Sequence, residues 1–238
     1  MKKIILLLLI ILVLFIRYRS FVAFQLTSQT DRFIQNQQAK GIHISANTVS
    51  APDGLITIHR RYENIVVQSD GLIYENPYMD VAVSLFHPLT VHITMQGRHR
   101  LNGIDITSDP VHITVLPTDQ TMNAVVKACR TPLFDIDFIR LDLAWQDDAV
   151  HLRPVWVQMK ETSATVTGTL AADESHLSVS VIGWKQALAF FREERLLSKD
   201  MYQSLYWTFQ LLGRGNELTV PVILQNDKMT VAGIQWAL

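Results

Sequence analysis

A single cysteine, Cys129, stands in 238 residues, so the chain can form no intramolecular disulfide and no multi-cysteine zinc or iron–sulfur site of its own. No excess of positive charge is present: 21 Lys and Arg face 22 Asp and Glu, for a formal net charge of -1. Without a basic stripe, the sequence offers no footprint for nucleic acid, and none is expected as a partner. Catalytic signatures are also missing. There is no H-E-x-x-H, no Walker-type loop, no G-x-S-x-G and no G-x-G-x-x-G. Gly213-Arg214-Gly215 follows a helical pattern instead of opening one, so it reads as a helix stop and not as a phosphate cradle. No cofactor is implied, and the chain reads as a non-enzyme.

What the sequence has is apolar character, 48% of its residues, much of it at the start. After Lys2 and Lys3, residues Ile4 to Ile16 are uninterrupted Ile, Leu, Val and Phe. Thirteen residues at 1.5 Å each cover only about 20 Å, short of a hydrocarbon core of roughly 30 Å. That length suits the apolar core of a secretory signal. Two features favour an uncleaved anchor. No small-x-small cleavage site follows, because Arg19, Phe21, Val22 and Phe24 fill those positions. The apolar run also resumes after Arg17, Tyr18 and Arg19, side chains that can snorkel to an interface. The expected anchor is 1–26, carried by Ile4, Leu7, Ile10, Leu14, Ile16, Phe21 and Phe24. Lys2 and Lys3 lean the N-terminus towards the cytoplasm, although Arg17 and Arg19 lie on the other side. The expected location is therefore the inner membrane, single-pass, with the C-terminal domain in the periplasm.

Residues 27–41 are polar and Gln-rich, and read as a short linker helix stopped by Gly41. From 42 to 238 a β-rich extracytoplasmic domain is expected. Apolar residues alternate with polar ones at Met79–Leu85, Leu89–Met95, Val111–Val115, Val166–Leu170 and Leu177–Val181, as in strands with one covered face. Turn chemistry separates them at Pro52-Asp53-Gly54, Ser69-Asp70-Gly71, Gln96-Gly97 and Asn226-Asp227. Between Phe138 and Ile139 the alternation slips by one, which predicts a bulge or sharp bend there. Trp184 to Leu212 switches to helical spacing. Trp184, Leu188 and Phe191 form one stripe; Met201, Leu205, Phe209 and Leu212 form a second, with Ser198 as its cap and Gly213 as its stop. A final hairpin follows from Leu218, and the C-terminus is expected to be part of it. The fold class is α+β: an N-terminal membrane-anchor helix, then a long, strongly bent, mainly antiparallel β-sheet with two helices packed on its concave face.

Few side chains suggest chemistry. His92 and His112 each sit in the tetrapeptide Val-His-Ile-Thr, twenty residues apart, and could meet across neighbouring strands. Their place on the polar parity of a strand is explained more simply by exposure to water. Asp135, Asp137 and Asp142 lie near Arg140 on one strand, where a solvated face again suffices. Cys129, in an apolar context, reads as a buried small hydrophobe. Trp156 and Ile223 fall on polar parity, and with Trp184, Phe191 and Phe209 they are expected either to line an apolar groove for acyl chains or to fill a core.

The stretch Gly71-Leu72-Ile73-Tyr74-Glu75-Asn76-Pro77-Tyr78-Met79-Asp80-Val81 resembles part of an uncharacterised envelope family of Gram-negative bacteria, domain of unknown function number twenty-one twenty-five. So do His87-Pro88-Leu89 followed by Gly97, and Leu218-Thr219-Val220-Pro221-Val222 with Val231-Ala232-Gly233-Ile234. The sequence departs at its end, where Gln235-Trp236 stands in place of a glycine-and-proline finish. The family is distantly similar to AsmA-type envelope proteins. The resemblance implies periplasmic residence and lipid handling in envelope maintenance, with a phospholipid or other acyl ligand. The alternative is a structural or assembly subunit that binds another envelope protein. Architecture of this kind is only an associational argument for function.

Overall fold

The computed structural model describes residues 2–69, 71–132, 134–146, 149–171, 173–194, 197–225 and 228–237; for side chains it describes these residues other than 2–9, Ile234, Trp236 and Ala237. The expected turn at Asn226-Asp227, Asp70, Arg195 and the side chains of Ile4, Leu7 and Trp236 lie outside the described residues. The class is α+β, mostly strands, all of whose described pairings are antiparallel. The chain divides into two compact units, 1–117 and 118–238.

Unit 1 opens with helix α1, Lys2–Ala39, 38 residues without a break. At 1.5 Å per residue it is about 57 Å long. The segment 27–41 is thus mostly the last part of this helix and not a separate linker helix. Gly41 stops it as expected, at a left-handed φ of 83°. Its N–H donates to the Gln38 carbonyl and that of Ile42 to the Gln37 carbonyl, both at 3.0 Å. These are the two bonds of a Schellman cap.

The strands of unit 1 are β1 (His43–Ser45), β2 (Thr48–Val49), β3 (Thr57–Ser69), β4 (Leu72–Ser84), β5 (His87–Met95), β6 (Arg98–Leu101), β7 (Ile104–Thr107) and β8 (Val111–Leu116). They pair in the order β1-β3-β4-β5-β8, with β2 also on β3 and a β6–β7 hairpin on β4. Facing residues on β3 are Ile58 and Tyr62, then Ile65 and Val67; on β4 they are Val83, Val81 and Met79, then Asn76 and Tyr74. Both strands slip one position at the same level, where Asn64 takes a φ of 51° opposite Pro77. Because the slips coincide, one face stays continuous. Val22 and Leu26 of α1 bury themselves on that face among Ile58, Tyr62, Ile65, Val81, Val83 and Leu85.

Unit 2 is a meander: β9 (Thr121–Arg130), β10 (Asp135–Gln146), β11 (Ala149–Met159), β12 (Thr162–Leu170), β13 (Ser175–Ile182), β14 (Glu217–Gln225), β15 (Lys228–Val231) and β16 (Ile234–Ala237). Helices α2 (Trp184–Glu193) and α3 (Lys199–Leu212) lie between β13 and β14 in sequence. Ser198 caps α3 by accepting from the Met201 N–H at 3.2 Å. Gly213 ends it in an extended conformation, where a Cβ would come within 2.8 Å of the Phe209 carbonyl. The helices place Trp184, Leu188 and Leu205 on Leu218, Val220 and Val222 of β14, with Leu177, Val179 and Val181 of β13 alongside.

The bulge expected at Phe138/Ile139 lies elsewhere. Strand β10 keeps one register against β9 from Asp135 to Ala144. The shift occurs against β11, between Arg140 and Asp142, and again between β11 and β12. In both, the extra residue belongs to β11, around Arg153-Pro154. Proline has no N–H for the ladder, so a bulge is where it fits.

Because α1 supplies one wall of the unit 1 core, a fragment beginning at Gly41 is expected to lose cooperative folding of unit 1, whereas one beginning at Arg17 keeps it. In the longer fragment, Leu26→Ala should cost about 2–5 kcal/mol in a denaturant titration, the range for emptying a buried Leu site.

Candidate functional site

The helix spacing that buries Val22 and Leu26 leaves room beside them. A cleft of about 840 Å³ runs between α1 and the sheet of unit 1. Tyr18, Phe21, Gln25, Leu26, Thr30 and Phe33 border it on the helix side. From Tyr18 to Ile34, the helical lining covers sixteen steps, about 24 Å. On the sheet side the lining is almost wholly apolar: Ile65 and Val67 of β3, Met79, Val81 and Val83 of β4, and Leu89, Val91, Ile93 and Met95 of β5. Two threonine hydroxyls on the helix are satisfied locally. Thr30 Oγ1 donates to the Leu26 carbonyl at 2.6 Å and Thr27 Oγ1 to that of Ala23 at 3.1 Å. Such back-bonding removes their demand for water inside an apolar space.

On the sheet side, one hydrogen-bonded polar group centres on Asn76. Strand β4 pairs with β5 up to Met79 and with β6 from Glu75 down, and Asn76 bridges the change of partner. It is 2% exposed. Its Nδ2 donates to the carbonyls of Gln96 at 2.9 Å and Arg98 at 3.0 Å, and its Oδ1 accepts from the Tyr78 N–H at 3.0 Å. The side chain therefore stands in for a ladder that Pro77 and the strand change interrupt. Beside it, Tyr74 Oη lies 2.8 Å and Asn76 Nδ2 3.0 Å from His99 Nδ1. Both hydrogens of Asn76 Nδ2 are engaged by the two carbonyls, so the Tyr74 contact is the bond that holds the ring, whose Nε2 lies 3.3 Å from Ser108 Oγ. The Ser108 hydroxyl donates in turn to the Asp109 carbonyl at 2.6 Å. These contacts tie β4 to β6 and to the loop that carries Ser108. Burial pushes Tyr74 up to about 12 and His99 below its ordinary value.

The other sequence candidates are separated. The two Val-His-Ile-Thr copies pair antiparallel about Ile93 and Ile113, so each histidine faces a threonine and not the other histidine. His92 Nδ1 lies 3.4 Å from Thr114 Oγ1, and His112 Nδ1 is 3.4 Å from Thr94 Oγ1. Asp137 accepts from the Lys160 N–H at 2.6 Å, which holds the β11–β12 turn. Cys129 is buried, and burial with Asp135 nearby raises its thiol pKa. Among the described residues, no three His, Cys, Asp or Glu side chains come together as a metal site would require.

The aromatic groove proposed from Trp156, Ile223, Trp184, Phe191 and Phe209 is not where the cleft lies; none of the five lines it. Trp184 is 2% exposed, with the rings of Tyr206 at 5.8 Å and Phe209 at 6.1 Å filling the space beside it. Trp156 packs on Phe138 at 5.2 Å, Ile223 is half-buried in β14, and Phe191 stands at the rim of α2 against Phe190. Close packing of α2 and α3 on the sheet consumes the room a groove needs. Of the expected anchor residues, Ile10, Leu14, Ile16, Phe21 and Phe24 are exposed. From Ile10 onward α1 is long and apolar enough to cross a membrane. The cleft was not legible in the sequence because its helix wall mixes apolar and polar residues, Phe21, Val22 and Leu26 beside Gln25, Gln29 and Thr30. The spacing Tyr18, Val22, Leu26, Thr30 was the available signal.

No protein-family model, curated protein or solved structure matches this chain.

The His99 contact sets a pH dependence. Its folded pKa is depressed, so its contribution to stability is fully present above about 6.5, the ordinary value, and is lost as pH falls through the folded value. Amide protection factors in β4–β6, the exchange rates taken relative to the intrinsic rate at each pH, should fall between pH 7 and pH 5, and His99→Gln should flatten that fall. An unchanged pH profile in the variant would remove His99 from the account.

Proposed function

We propose that this protein is an inner-membrane envelope protein, single-pass, with its body in the periplasm, which holds the acyl chain of a lipid without transforming it. The observation that carries the reading is the 840 Å³ cleft between α1 and β3–β5, apolar over most of its wall and bordered by a helix apolar enough to span a membrane. Its 24 Å run exceeds the depth of one leaflet, about half of a 30 Å hydrocarbon core, so a whole acyl chain fits along it. The few polar groups on its wall, Gln25, Gln29 and Thr30 on the helix and Tyr74 and Asn76 on the sheet, leave a predominantly apolar space that suits a long hydrocarbon chain. Lys2 and Lys3 favour a cytoplasmic N-terminus. The resemblance of Gly71–Val81 to a Gram-negative envelope family points the same way.

A second reading, an assembly subunit that binds another envelope protein, draws on one observation in unit 2. Trp207 is 66% and Leu211 85% exposed on α3, a face no other described residue covers.

Native mass spectrometry of the gently extracted full chain distinguishes them. Adducts of phospholipid mass are expected, and Ile93→Asp, in the cleft wall, should remove them while Trp207→Ser leaves them intact. A clean apo mass for the unaltered chain would overturn the lipid reading.

A further inference from the structure

The free part of α1 is too short. Phe15 already touches the unit 1 core, and the side chains of Tyr18 and Arg19 are bonded to the loops of the β unit. From Lys2 to Arg17 the helix extends only about 24 Å, against a hydrocarbon thickness of roughly 30 Å. Twenty residues from Ile4 reach Ala23, several positions past the first contacts with the β unit. A bilayer spanned by this helix must therefore come level with the end of the β unit that Tyr18 and Arg19 hold.

That end is apolar. Tyr18 Oη donates to the Leu85 carbonyl at 3.1 Å, and Arg19 Nε donates to the Gly54 carbonyl at 2.7 Å. Gly54 has a φ of 97°, and a Cβ there would lie 1.9 Å from the Thr57 carbonyl, so the loop that meets Arg19 depends on glycine. Next to these anchoring points stand Leu55, 66% exposed, Phe86, 74% exposed, and Ile56. Ile56 and Leu85 are joined by a backbone bond of 2.9 Å, which puts Leu55, Ile56 and Phe86 on the same open end of the β3–β4 pair. Leu89, also exposed, adjoins them at the near end of the cleft with Pro88, Phe21 and Tyr18. Large apolar side chains grouped at one end, with two arginines at the same height, are what an interfacial seat requires.

We infer that Leu55, Ile56, Phe86 and Leu89 sit in the headgroup–acyl boundary of the bilayer that α1 enters, with Arg17 and Tyr18 at headgroup level. The partner is a lipid surface. The inference rests on the reading of α1 as a membrane span and adds to it a second, β-borne contact. Seating this end in the interface closes the shortfall in helix length and brings the Phe21–Leu89 mouth of the cleft to the acyl region, so a chain can enter it without crossing water.

Nitroxide labels test this on the full chain in phosphatidylethanolamine–phosphatidylglycerol vesicles, placed one at a time at Leu55→Cys, Phe86→Cys, Ile10→Cys and Asp105→Cys. Cys129 is buried, and the unaltered chain gives its background. Positions 55, 86 and 10 are expected to collide with dissolved oxygen in preference to a water-soluble nickel chelate by a ratio several-fold above that at 105. If 10 is shielded from nickel while 55 and 86 behave like 105, the β-borne contact is overturned and the span stands. If 10 also behaves like 105, the span reading falls and takes the inference with it. Lipid binding in the cleft is read separately, from the adduct masses.

Discussion

The contact of Val22 and Leu26 with Ile58, Tyr62, Ile65, Val81 and Val83 is what the rest of unit 1 depends on. It makes one unbroken helix serve two surroundings. From Ile10 to Ile16 the helix carries only Ile, Leu, Val and Phe, nearly all of them exposed. Its later turns bury Val22 and Leu26 on the sheet, with Gln25, Gln29 and Thr30 beside them on the cleft and Phe24 exposed. No hinge separates the two regimes. Whatever fixes the tilt of the first half fixes the placement of the sheet as well, within the stiffness of a helix. Arg60 strengthens the join: its guanidinium donates to the Thr27 carbonyl at 3.2 Å and to Asp31 at 2.8 Å. The pair is partly exposed, so it contributes little to stability compared with the apolar row, but it fixes the register of helix on sheet.

The cleft exists because the same contact is incomplete. A helix of about 10 Å diameter laid on a sheet covers only a stripe of it. The residues of β4 and β5 beyond that stripe, Val91, Ile93 and Met95 among them, remain lined up without a partner. Asn76 keeps this wall in one piece. Where the chain changes ladder partner, its amide supplies two donors and one acceptor that backbone groups would otherwise provide. A leucine of similar size would leave two carbonyls and one N–H unpaired in a buried place, a heavier penalty than the loss of a single bond.

Much of the β architecture was legible because alternation is a local property. Leu89–Met95, Val111–Val115 and Leu177–Val181 fall within strands, Met79–Leu85 does so up to Ser84, and the α3 cap at Ser198 was readable from one residue. What was not legible depends on partners distant in sequence. Strand β3, with Arg60, Arg61, Glu63 and Asn64, lacks a clean alternation because its face changes at Asn64 in step with Pro77. Strand β11 carries the bulge that the apolar pattern of β10 suggested, since Pro154 tolerates irregularity better than Ile139. The candidate site was missed for a related reason. The stretch 27–40 has the composition of a solvated linker, and only the placement of the sheet beneath it shows that Thr30 and Phe33 face a cleft. Large aromatics drew attention to unit 2, where close packing gives them an ordinary occupation.

The division at Pro117 has an optical consequence. All five tryptophans, Trp145, Trp156, Trp184, Trp207 and Trp236, follow that boundary, and none precedes it. Four of the six tyrosines, Tyr18, Tyr62, Tyr74 and Tyr78, precede it. Light absorbed at the red edge of the protein spectrum is therefore taken up only by unit 2. Emission excited there follows the helix pair and its sheet, while the unit that holds the cleft stays dark. A tryptophan exchanged for Phe33 or Phe86 would add the first emission from that unit, read as the difference from the unaltered chain.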